Sequence, residues 1–184
     1  LLVGCTETTS QSGSASPSAV REGASGAWSG ATGAPSEKAQ VGQPAPDFTL
    51  KDLDGKELKL SSLRGKTVVL EWFNPECPYV KRSHQNGSLK GLAAKVKESG
   101  VIWLAINSGA PGKQGHGVAT NRDGAKTLGV ENAIYLDEDG KVGKTYGATN
   151  TPHMYVIDPT GLLVYAGAID NSPDAEGQSP EGGK

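Results

Sequence analysis

Thr67-Val68-Val69-Leu70-Glu71-Trp72-Phe73-Asn74-Pro75-Glu76-Cys77-Pro78-Tyr79-Val80-Lys81 carries a lone cysteine out of an apolar run and into a helical pattern. Residues 67–73 are mostly β-branched, aromatic or aliphatic, as in a strand buried on both faces. A helix start offers unpaired N–H groups and the positive end of the helix dipole. Both favour thiolate over thiol. Lys81 and Arg82, one turn on, and His153 add to that preference, whereas Glu71 and Glu76 oppose it. Thiolate is the nucleophile of sulfur chemistry, so Cys77 is the candidate redox residue. The bland alternative is a cysteine that merely packs, as many free cysteines do. Asn74 stands three residues before Cys77, where a Cys-x-x-Cys pair would have its first cysteine, so a dithiol at that spacing is absent.

Outward from this stretch, the chain reads as alternating strands and helices. Residues 41–50 open the ordered region, with prolines suited to an edge. Asp54-Gly55 is a turn signal between short strands at 49–53 and 57–60, so a hairpin is expected. Residues 61–66 make a short helical turn. A helix is expected over 77–99, with Val80, His84, Leu89, Leu92, Ala93 and Val96 on its apolar side. Gln85-Asn86-Gly87-Ser88 interrupts it, which predicts a kink or two helices. Residues 101–107 form a second buried strand, and 108–117 a glycine-rich loop. A helix at 119–128, a strand at 133–136, a brief helix at 143–146 and a hairpin of strands at 154–158 and 163–169 complete the pattern. The order is hairpin, βαβ, αβ, then α with a closing hairpin. It predicts an α/β fold with a central mixed sheet and helices on both faces.

Composition bounds the rest. The formal net charge is -2 over 184 residues, and no basic cluster interleaves with aromatics, so nucleic acid is not an expected partner. Residues 6–40 are rich in Ser, Gly, Ala and Thr, a composition too poor in apolar side chains to form a core. The expected organisation is a tether over 1–40, one domain over 41–170 and a disordered tail over 171–184. Cys5 closes Leu2-Val3-Gly4-Cys5, which looks like a bacterial lipobox. Its cysteine would be lipidated after removal of a signal, of which these residues would be the truncated end. That reading puts the domain in the bacterial cell envelope, on the periplasmic or outer-membrane side, touching the membrane through a lipid anchor only.

The ordered motifs resemble the thioredoxin-like fold, in its redoxin branch related to alkyl hydroperoxide reductase and thiol-specific antioxidant proteins. The resemblance is carried by residues 41–50, by Leu63-Arg64-Gly65-Lys66 leading into the first buried strand, by residues 74–81, by Tyr146-Gly147-Ala148-Thr149-Asn150-Thr151-Pro152-His153-Met154, and by residues 161–170. It implies a three-layer fold with an N-terminal β-hairpin, and a thiol-based oxidoreductase that reduces peroxides or exchanges with disulfides, without a cofactor. It also implies that Thr151-Pro152 is a cis-proline element lying against Cys77. Two departures matter. Dithiol thioredoxins carry two cysteines where this chain has Asn74 and Cys77. Peroxiredoxins carry Thr or Ser, a Pro and an Arg where this chain has Asn74, Leu70 and Pro152. Relatives of the lipoprotein type also continue into a further helix and a late cysteine, so a resolving thiol is expected from outside these residues.

The candidate site is therefore Cys77, Asn74, Tyr79, Thr151 and Pro152. Asn74 would bond a thiolate or peroxide oxygen, or simply form the turn before Pro75. Tyr79 would donate its hydroxyl toward the sulfur, or pack in the first helical turn. His153 would lie near the cysteine, or face the other side of its strand. A metal centre from Cys77, His84, His116 and His153 is not expected with one cysteine. The loop at 109–117 lacks phosphate-loop spacing and reads as an insertion at the edge of the site. The expected partners are a peroxide or protein disulfide and an external thiol reductant. The competing expectation is a module that binds extended peptides without turnover.

Overall fold

The computed structural model describes residues 38–170. Cys5 with its lipobox-like stretch, most of the tether and the tail over 171–184 lie outside the described residues.

The first hairpin pairs β1 (Thr49–Asp52) with β2 (Glu57–Lys59). Asp52 Oδ1 accepts from the backbone N–H groups of Asp54 and Lys56, both at 2.9 Å, which closes the turn that Asp54-Gly55 announces. A 3-10 turn (Leu60–Leu63) leads to β3 (Val68–Trp72), all five residues of which are buried. α1 (Pro78–Gln85) and α2 (Leu92–Lys97) follow, then β4 (Ile102–Asn107), α3 (Val118–Leu128), β5 (Ile134–Leu136), α4 (Lys141–Tyr146), β6 (His153–Ile157) and β7 (Leu163–Gly167). The sheet order is β2-β1-β5-β4-β3-β6-β7. β3, β4 and β5 run parallel, while β6 is antiparallel to β3 and to β7. The expected helix over 77–99 is two helices, because the chain leaves the helical ladder after Gln85 and Leu89 N–H bonds back to the Ser83 carbonyl at 3.0 Å. The last strand stops at Gly167, two residues short of the expected end.

Alternation along β3 builds the two faces. Val68, Leu70 and Trp72 point into a core with Phe48, Leu104, Ile106, Tyr146, Tyr155 and Leu163, covered by α4. Trp72, Tyr146 and Tyr155 meet with ring centroids 5.0–5.4 Å apart, contacts worth about 0.5–1.5 kcal/mol each beyond burial. On the other face Phe73, Val80, Ala105, Leu128 and Ile134 form a second cluster under α1 and α3. Val69, Leu89, Trp103 and Met154 form a third, against α2. Cys77 follows β3, an interior strand of the sheet, where β3 hands over to α1. No helix among the described residues is long and apolar enough to cross a membrane.

Candidate active site

Cys77 is the N-cap residue of α1, with extended backbone (φ -67°, ψ 126°) and Pro78 in the first helical position. Its N–H bonds the Asn74 carbonyl at 3.0 Å, closing the turn 74–77. The thiol is half-buried. It packs against the cluster of Phe73, Val80, Ala105, Leu128 and Ile134, and its Sγ donates to the Thr151 carbonyl at 3.3 Å. The Thr151–Pro152 peptide is cis. Pro152 is buried, and Thr151 is partly exposed beside the sulfur. Three of the five candidate residues thus converge, although 74 positions separate Cys77 from Thr151.

The other two do not touch the sulfur. Asn74 Oδ1 accepts the Glu76 N–H at 2.9 Å, and Asn74 Nδ2 donates to the Gln114 carbonyl at 3.4 Å. Its side chain serves the turn and the 108–117 loop. Tyr79 is 49 % exposed, neither packed nor bonded to the thiol, because the first turn of α1 points it outward. A second thiol could adjoin Cys77 from three residues before or three after. Those positions hold Asn74, turned into the loop, and Val80, fully buried one helical turn beneath Cys77.

The loop itself is firmly built. Asn107 Nδ2 donates to the Gly115 carbonyl at 3.0 Å and to Asn121 Oδ1 at 2.8 Å. Asn121 Nδ2 donates to the carbonyls of Gly115 and Gly117 at 2.9 and 2.8 Å. Two glycines let it approach the cysteine turn. A Cβ on Gly115 would lie 2.3 Å from Asn74 Oδ1, and one on Gly124 of α3 would lie 2.2 Å from Pro75 Cβ.

These elements, in this order, match known proteins. The redoxin family model matches residues 40–179. The chain belongs to the redoxin family. This redoxin is 30 % identical over 135 residues to the thiol-disulfide oxidoreductase ResA of Bacillus subtilis, covering 70 % of this chain and 67 % of that protein. It is 27 % identical over 128 residues to ResA of Bacillus thuringiensis subsp. konkukian, covering 70 % and 69 %. Among solved structures, an uncharacterized conserved protein of Geobacillus kaustophilus superposes with a TM-score of 0.65 at 30 % identity, covering 73 % of this chain and 72 % of that one. The thioredoxin domain of a thiol-disulfide oxidoreductase of Bacteroides vulgatus shares the fold at 20 % identity, with a TM-score of 0.58 and coverage of 70 % and 89 %. The fold is thioredoxin-like.

The redoxin's histidines are spread apart, and among the described residues no three His, Cys, Asp or Glu side chains gather as a metal set. His153 is half-buried on β6, its ring 4.7 Å from that of Tyr155 and its Nδ1 3.2 Å from the Tyr155 hydroxyl. That hydroxyl gives its proton to the Tyr146 carbonyl at 2.9 Å, so His153 Nδ1 carries a proton and donates. Burial holds the His153 pKa below its ordinary value. His116 Nδ1 bonds the Gly109 carbonyl at 2.9 Å.

His84 shows what the sequence pattern missed. Glu71, fully buried in β3, receives His84 Nε2 at 2.7 Å on one oxygen and Trp103 Nε1 at 2.9 Å on the other. His84 is not simply part of an apolar face; it ties α1 to β3. The signal was present, since a carboxylate inside an apolar strand requires partners. Glu76 was the second omission. Its carboxylate accepts the Gly115 N–H.

Proposed function

We propose that this redoxin carries out thiol–disulfide exchange through Cys77. The observation that carries the reading is the Cys77 thiol at the start of α1, half-buried and 3.3 Å from the Thr151 carbonyl. Cys77 thiolate attacks one sulfur of a substrate disulfide. A new S–S bond forms, the old one breaks, and the leaving sulfur departs as a thiolate that takes a proton. A thiolate of the external reductant then attacks the Cys77 sulfur of the mixed disulfide, forming a Cys77–reductant disulfide and releasing the second substrate sulfur as a thiolate that takes a proton; a second reductant thiolate attacks the reductant sulfur of that bond, forming the reductant disulfide and releasing Cys77 as thiolate. For turnover, two reductant thiols become one disulfide and the substrate disulfide becomes two thiols. The exposed backbone at Thr151 supports binding of an extended substrate segment. The relatives named for thiol-disulfide oxidoreduction support disulfides over peroxides as substrate. So does the sulfur's neighbour, an acceptor carbonyl, where a peroxide needs donors to polarise its O–O bond.

The Leu2–Val3–Gly4–Cys5 pattern and the Ser/Gly-rich stretch behind it support a lipid-anchored domain in the cell envelope. A binding module is the second reading, favoured by Asn74 and Val80 at the two positions where a second thiol would sit.

The test uses the full chain carrying Cys5→Ser, so that Cys77 is its one thiol, reduced and then incubated with oxidised glutathione and, separately, hydrogen peroxide with dimedone. The expected outcome is a single glutathionyl adduct on Cys77, formed faster than on free cysteine, and none on Cys77→Ser. Fast dimedone capture with slow glutathionylation would instead assign a peroxide reductase. Unreactivity in both, with Cys77→Ser still capturing peptides, would assign the binder.

A further inference from the structure

From Cys77 to Lys97 the chain carries Lys81, Arg82, Lys90, Lys95 and Lys97 and not one Asp or Glu. The whole chain leans the other way, with 20 acidic against 18 basic side chains. The fold keeps this stretch on one layer. α1 packs on the cluster that holds Phe73, and α2 on the cluster that holds Val69. Val69 and Phe73 share a side of β3, because side chains alternate along a strand. The connection between the helices folds back on α1, with Gly87 N–H on the Arg82 carbonyl and Leu89 N–H on the Ser83 carbonyl, both at 3.0 Å.

The inward positions of this layer are apolar, so its cations face solvent. Lys81, Lys90, Lys95 and Lys97 are all exposed. Among the described residues none of the four makes an ion pair. Lysines elsewhere do: Lys51 with Glu57 at 3.7 Å, Lys59 with Asp47 at 3.4 Å and Lys141 with Asp139 at 2.6 Å. The acids around the layer are engaged or marginal. Glu71 is buried against His84 and Trp103, Glu76 accepts the Gly115 N–H, Asp170 accepts from Ser88 Oγ, and Glu98 stands just past α2. The row of lysines also starts beside the nucleophile. Lys81 N–H bonds the Cys77 carbonyl at 3.0 Å, and residues four apart are neighbours on a helix surface. α1 then carries the layer about 12 Å away from the cysteine, and α2 extends it.

We propose that the solvent face of the α1–α2 layer is a docking surface for protein substrates that carry acidic side chains around the disulfide that Cys77 attacks. This deepens, and rests on, the thiol-exchange reading above. Like charges repel one another across such a face, and a partner of opposite sign relieves that repulsion. Complementary charge also selects the partner and fixes its register. An anionic membrane would satisfy the lysines too. Yet a face that begins at the thiol, laid on lipid, would close the sulfur to the disulfide it has to meet.

The experiment uses the full chain carrying Cys5→Ser, so that Cys77 is its one thiol. The probes are peptides with a central cysteine and arms of about five residues, long enough at roughly 3.3 Å per residue to span α1. The arms carry Glu, Gln or Lys, and each cysteine is held as a disulfide with thionitrobenzoate. Cys77 thiolate attacks the peptide sulfur, a new S–S bond forms, and thionitrobenzoate leaves as a coloured thiolate. Each second-order rate is divided by that of free cysteine with the same peptide. At low salt the Glu peptide is expected to react at least about five times faster than the Gln peptide, and the Lys peptide more slowly. The gap should close at about 1 M salt, where the Debye length is about 3 Å. Changing Lys90, Lys95 and Lys97 together to Gln is expected to lower the Glu-to-Gln ratio roughly threefold or more. The same change of net charge made at Lys51, Lys59 and Lys141 is expected to leave that ratio in place. A ratio unmoved by Lys90→Gln/Lys95→Gln/Lys97→Gln overturns the proposal, as does an equal fall in the variant changed at 51, 59 and 141. So does an unmoved ratio joined to lost binding of phosphatidylglycerol vesicles, which would assign the face to a membrane. If Cys77 exchanges with the Gln peptide no faster than free cysteine does, the exchange reading falls and the docking role with it. Fast exchange that is blind to charge removes the docking role alone.

Discussion

Cys77 owes its place to a strand that ends and a helix that begins, and both events are written locally. The apolar run stops at Phe73 and Pro78 takes the first helical position. The meeting with Thr151 was implied only by the family resemblance; the residues themselves give a Thr-Pro before a strand, and the pairing of that strand, β6, with β3 is what brings it to the cysteine. The direction of Asn74 is not legible, since its side chain answers to Gln114, forty residues away. This difference makes a residue-scale prediction. Val80→Cys places a thiol one turn beneath Cys77, on the same helix face, whereas Asn74→Cys places one toward the loop. In a glutathione redox titration Val80→Cys should form an intramolecular disulfide with Cys77. The equilibrium should favour it roughly tenfold or more over the Asn74→Cys variant, a gap near 30 mV. Equal formation in both variants would mean that the turn 74–77 is free to reorient.

Among the elements, α1 is the one whose anchoring the periodicity of its residues did not disclose. Apolar spacing predicts that Val80 faces the sheet, and it does. It cannot say that α1 is also tied to the sheet by a polar contact, because a histidine at a buried helical position reads as half-apolar until its partner is known. That partner, Glu71, lies on another element and faces the same layer as Val69 and Phe73. The Glu71–His84–Trp103 group is satisfied on both carboxyl oxygens, and breaking one side leaves a buried oxygen without its partner. His84→Ala should therefore cost about 1–3 kcal/mol, read as a fall in the urea midpoint. Replacing both Glu71 and His84 by leucine should cost much less than the sum of the single changes, since the second change removes the group that the first one orphaned. Additive costs would show that the two side chains act independently.

At the scale of the molecule, the layer between the sheet and α4 ties the ends of the domain together through tyrosine hydroxyls. Tyr146 donates to the Pro46 carbonyl at 2.7 Å, a contact spanning 100 positions, and Tyr155 donates to the Tyr146 carbonyl. The fold class and sheet direction were legible from the alternation of strand and helix patterns; these long-range bonds were not, because a tyrosine in an apolar run carries no mark of its acceptor. Burial pushes the Tyr155 pKa up to about 12 and raises that of Tyr146 as well. The folded state thus resists ionisation that the unfolded chain undergoes near its ordinary tyrosine value of about 10. The unfolded state then binds fewer protons than the native one, so stability falls with rising pH. The contribution is fully present below about pH 10 and is lost progressively as pH climbs through about 12. Tyr155→Phe should lower stability at neutral pH by about 1 kcal/mol for the lost hydrogen bond. It should also show a shallower decline between pH 10 and 12 than the wild-type protein. The check is a set of urea midpoints across that range, in which parallel curves for the two proteins would mean that Tyr155 ionises as readily in the fold as outside it.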